Sequence, residues 1–156
     1  MDERVTRLTT SDDCEQFARN VQEDHPELAR EALRRAVQLR ADARAKTLGL
    51  NGTVEREALQ AVCAYEEVLS KKNGKRTAAS RTWQMIKRRG IIGAIERAVN
   101  RQTDASGYLA LAEMKMQDIT FEAVVLRHPD HFSAEAVERS AERLKDWQEA
   151  QAEVTS

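Results

Sequence analysis

The sequence predicts an all-α protein, about eight helices packed as a compact irregular bundle. Three observations carry this. Ala, Leu, Glu and Arg, all strong helix formers, are abundant. Only two prolines and six glycines interrupt the chain. Apolar residues recur at three- and four-residue spacing, and no stretch of useful length alternates as a strand does. Aromatics are 4% of residues and charged residues 33%, so the core should be thin, with long charged side chains lying over it.

Residues 1–10 are polar and read as a loose N-terminus. A single helical domain is expected over 11–150, and 151–156 read as a frayed tail. The first helix should start at Asp12, with Glu15 completing a capping box, and run to about Gln22 with Phe17 and Val21 inward. Pro26 suits the first turn of the second helix. Its buried face is Leu28, Ala32, Leu33, Ala36, Val37 and the stem of Arg40, and Gly49 stops it. After an Asn51-Gly52 turn, Thr53 should cap a third helix, with Leu59, Val62, Cys63 and Leu69 inward, that ends at Asn73-Gly74. Thr77 is the expected cap of a fourth helix over 78–89, broken by Gly90. A fifth helix over 91–101 follows almost at once, so 77–101 reads as a helix-turn-helix-like pair. A polar loop at 103–106 leads to a short sixth helix around Tyr108, Leu111 and Met114. Thr120 caps a seventh, which Pro129 ends, and Ser133 caps the last, with Val137, Leu144 and Trp147 inward.

The formal net charge of −1 conceals a separation. From Lys71 to Arg101 the chain carries ten basic side chains and one acid, Glu96, and the remainder is correspondingly acidic. Such segregation marks an interaction surface. Within it, Arg81, Gln84 and Arg88 share one face of the fourth helix, opposite Ala79, Trp83 and Ile86. Arg97, Asn100 and Arg101 face outward on the fifth, opposite Ile91, Ile92, Ile95, Ala98 and Val99. One side packs and the other is free to meet phosphate. Gln84 and Asn100 are also side chains able to read base edges. Lys71, Lys72, Lys75 and Arg76 precede the pair and would steer a polyanion towards it.

The expected function is therefore nucleic-acid binding in an accessory or regulatory protein, to DNA rather than RNA, because few aromatics are free to stack on bases. The alternative is a helical adaptor or inhibitor whose basic face meets an acidic protein. The acidic helices are the candidate surface for a homodimer or protein partner. Internal pairing of Arg81, Arg88 and Arg101 with the chain's own carboxylates would count against the binding reading. The segment Tyr65–Ile92 and the string Phe121-Glu-Ala-Val-Val-Leu-Arg-His-Pro resemble stretches in uncharacterised bacterial and phage helical proteins, a likeness over about 12–147 that implies a bacterial or phage origin.

No enzyme is expected, and no cofactor. The chain lacks a P-loop, a Rossmann glycine pattern and a nucleophile elbow. His128 and His131 flank Pro129 without a third ligand, so no metal is expected. Glu138 and Glu142 stand beside Arg139 and Arg143, as on an exposed salt-bridged helix. Cys14 and Cys63 lack a CxxC spacing and read as reduced thiols. With no leader-like N-terminus and no apolar run near ~18 residues, the expected setting is the cytoplasm.

Overall fold

The protein is described by a computed structural model over residues 1–155. Among these residues the chain is all-α, with eight α-helices and no strand. They are α1 (Glu3–Thr6), α2 (Ser11–Val21), α3 (Pro26–Leu48), α4 (Thr53–Asn73), α5 (Ser80–Asn100), α6 (Ser106–Glu113), α7 (Phe121–Arg127) and α8 (Ala134–Thr155). Single 3₁₀ turns at Gln117–Ile119 and Pro129–His131 flank α7.

Helix α4 is the hub. It meets α3 on one side and α5, α6 and α7 on others, while α8 packs against α5, α6 and α7. The reason is its composition. Val54, Ala58, Leu59, Ala61, Val62, Cys63 and Ala64 are all buried, so the helix is apolar over much of its circumference. Small residues let its neighbours approach closely: Ala41 and Ala45 of α3 and Ala94 of α5 join the same core. A second, smaller core holds α1 and α2 on α3 through Val5, Ala18, Ala29 and Ala32.

Local signals set most boundaries. Pro26 opens α3, and Gly49 and Gly74 end α3 and α4 in the left-handed conformation, at φ 69° and 68°. The Thr120 and Ser133 hydroxyls accept from the Ala123 and Ala136 N–H groups and cap α7 and α8.

Two expected caps fail, and both ends of the described chain carry helix. Within residues 1–10, Asp2 caps α1 and Val5 is fully buried. Thr10, not Asp12, caps α2, and Glu15 is drawn away to Arg40 and Arg76. Thr77 caps nothing; its N–H donates to Ser70 Oγ, and α5 begins at Ser80. Helix α8 runs on to Thr155, and Gln151 accepts from the Tyr108 hydroxyl; Ser156 lies outside the described residues.

Candidate nucleic-acid interface

The position of α5 is fixed from α4. Glu66 is buried, and its Oε2 accepts from the Ala79 N–H at 2.9 Å and from the Trp83 indole N–H at 2.8 Å. This carboxylate serves as the cap that no residue of the α5 N-terminus supplies. The Arg44 guanidinium lies 4.2 Å from the Trp83 ring centroid. Beyond Trp83, Ile86, Ile91, Ala94, Ile95 and Val99 face the core.

At Gly90 the helix kinks, with φ 82° and ψ 168°, a region open in practice only to glycine. The break is one residue, against the three or four of a helix-turn-helix turn, so α5 is a bent helix with two arms, 80–89 and 91–100.

The bend creates a concavity of about 340 Å³. Arg81, Gln84 and Arg88 line it from the first arm, and Arg97 and Arg101 from the second, around Met85, Ala94 and Ala98. No acidic side chain lines it. All four arginines are exposed, and among the described residues none of their guanidiniums has a carboxylate partner. Gathering like charges without counter-charge is unfavourable for the folded chain itself. An anion entering the groove relieves that cost.

The other residues expected at the site divide. Lys71, Lys72 and Lys75 are exposed around the α4 C-terminus. Lys71 reaches Glu113 at 3.6 Å, a solvent-exposed pair of little strength. Arg76 is committed elsewhere. With Arg40 it brackets Glu15 and Glu67 in a four-membered cluster, at 2.6 to 3.1 Å. Asn100 is committed too: its amide donates to Glu96, and its Oδ1 and backbone carbonyl accept from Arg139. Of the two amides expected to read bases, Gln84 alone faces the groove.

Helix α8 differs from its expected role. Arg139 and Arg143 do not pair along its surface but turn inward. Arg143 donates to the Arg101 carbonyl, at the C-terminus of α5, and to Glu122 Oε2 at 3.1 Å. Glu122 is buried, and burial is the main influence raising its pKa, against the lowering pull of its own backbone N–H and of Arg143. Beside it lies a cavity of about 220 Å³ lined by Tyr65, Tyr108, Phe121 and Trp147. These rings come from α4, α6, α7 and α8, so no local spacing signals their convergence.

His128 joins two helices, and His131 is exposed. His128 Nε2 lies 2.7 Å from Glu57 Oε2, and Arg127 Nε donates to Glu57 Oε1 at 2.6 Å, which ties α7 to α4. Burial, the largest influence on Glu57, raises its pKa, but His128 and Arg127 together hold it below the ordinary value. Among the described residues no helix is long and apolar enough to cross a membrane. No family model, curated protein or solved structure matches the chain.

Proposed function

We propose that the bent helix α5 binds the sugar–phosphate backbone of a nucleic acid, duplex DNA in the first place, and that the protein acts as a non-catalytic accessory or regulatory factor. One observation carries the reading: Arg81, Arg88, Arg97 and Arg101 converge on a single concavity and, among the described residues, no acid lines it and no carboxylate pairs with them. A face of balanced charge would be explained by solvation or by self-pairing. An unbalanced, concave one is complementary to a chain of phosphates. Gln84 sits among the arginines, where it can reach a base edge. Lys71, Lys72 and Lys75 add long-range attraction that falls off with salt.

The test is binding of the full chain to labelled duplex DNA across a salt series. Four phosphate contacts give a log–log slope of about −3.6. Absence of binding at ~50 mM salt, where charge-driven contacts are strongest, overturns the proposal. Arg88→Gln should weaken binding and lower the slope by about 0.9, yet leave the melting temperature unchanged or slightly higher. A structural arginine would show the opposite pattern.

A further inference from the structure

The groove does not end at Arg101. Arg101 and Ala98 line both the arginine concavity and the aromatic cavity behind it. We propose that this cavity receives one unpaired nucleobase of a DNA strand whose backbone lies in the groove. This rests on the reading of the groove as a phosphate site.

The cavity's composition is the first argument. The chain has two Trp, two Tyr and three Phe, and four of these seven line this one space. Tyr65 and Phe121 form one tilted pair, with centroids 5.9 Å apart, and Tyr108 and Trp147 another at 5.8 Å. A base entering between such rings gains stacking whatever its identity.

Size is the second argument. At about 220 Å³ the cavity is smaller than the roughly 300 Å³ at which drug-sized pockets begin. It suits a flat heterocycle, with sugar and phosphate left outside, where Arg101 stands.

Edge chemistry is the third. Glu122 lines the cavity with only 5% of its surface exposed. Its carboxylate accepts from Arg143 and from its own backbone N–H. A carboxylate offers about four lone-pair sites, so an entering base can still donate an amino or imino N–H to it. Extrusion of a base from a duplex into such a pocket costs least when the base is already unpaired.

The test compares three duplexes of one length in anisotropy titrations with the full chain. One is fully paired, one carries a single bulged nucleotide, and one carries a bulged abasic residue. The bulged base should bind roughly tenfold to a hundredfold tighter than the abasic bulge. Gly107 supplies the blocking variant. It lines the cavity near the start of α6, and a Cβ added there meets no atom within 4 Å. Gly107→Leu should abolish the preference and leave the abasic affinity and the melting temperature intact, while Gly107→Ala keeps the preference. Equal affinity for the base and abasic bulges, with salt-dependent binding retained, overturns the base site and spares the groove. A preference undiminished in Gly107→Leu also overturns it. No binding to any of the three at ~50 mM salt overturns the groove reading and the base site together.

Discussion

At Glu66 one carboxylate oxygen accepts two hydrogen bonds from α5 in a setting that water barely reaches. Glu66→Leu removes the acceptor and strands the Ala79 N–H and the Trp83 indole. Hydrogen bonds to a charged group and buried unsatisfied donors place the loss at about 2–4 kcal/mol in urea unfolding. Glu66→Gln keeps an acceptor oxygen and should cost less. A red shift of Trp83 emission should accompany the Leu variant and not the Gln one. Two other carboxyls make opposite pH predictions. Burial, the largest influence, raises the Glu122 pKa above its usual 4.5. The folded state therefore favours its protonated form, and the stability it contributes is fully present below pH 4.5 and lost as pH rises through the folded value. Glu96 goes the other way: burial raises it, but hydrogen bonds from the Ser133 backbone and hydroxyl and from Asn100 outweigh that and hold it low. Its contribution is present above pH 4.5 and lost as pH falls through the lower folded value. Melting temperatures from pH 8 to 3 should show wild type gaining on Glu122→Gln as the solution is acidified, and losing to Glu96→Gln at the acid end. The sequence shows which residues are charged and on which helix face. It does not show that Arg76 and Asn100, both within the basic run, have their bonding taken by Glu67 and Arg139, because those partners lie 9 and 39 positions away.

Among the elements, α5 is where local chemistry and proposed function meet. Gly90 sits at φ 82° and ψ 168°, and a Cβ there meets nothing within 4 Å. Crowding is therefore not the obstacle to substitution; the backbone conformation is. Gly90→Ala should cost about 1–3 kcal/mol if the kink is kept, or relax α5 towards a straight helix if it is not. Straightening would part Arg81 and Arg88 from Arg97 and Arg101, so DNA affinity should fall with no charge changed. A variant with wild-type stability and wild-type affinity would show that the bend matters to neither. The bend was legible because glycine interrupts an otherwise helical pattern, and the two arginine faces follow from 3.6-residue periodicity. The start of α5 was not legible. Thr77 has the chemistry of a cap, but Ser70 engages it and the cap comes from a carboxylate on α4. Helix α1 was likewise hidden, because its four residues carry one apolar side chain, Val5, whose burial depends on α3.

Across the whole molecule, α8 converts separate helices into one frame around the proposed site. Arg143 holds the Arg101 carbonyl and the Glu122 carboxylate at once, so the end of α5 and the start of α7 are referred to the same side chain. It also lies 6.0 Å from the Trp147 centroid, beside the aromatic cavity. Sequence spacing suggested a surface ladder with neighbouring glutamates, because i,i+4 partners are visible in one dimension and contacts between helices are not. The consequence is measurable. Arg143→Leu leaves Glu122 buried without its partner, a change that in buried pairs costs about 3–5 kcal/mol. The cost comes from the orphaned charge rather than from the intrinsic strength of the pair, so a second substitution that removes the charge should recover it. The double variant Arg143→Leu/Glu122→Leu should therefore regain most of the loss in denaturant unfolding, and the coupling between the two sites should be large. If the double variant is as unstable as Arg143→Leu alone, the Arg101 carbonyl is the contact that matters. The α5 C-terminus would then be held by α8 through its backbone, and the groove's second arm should loosen even when Glu122 is neutral.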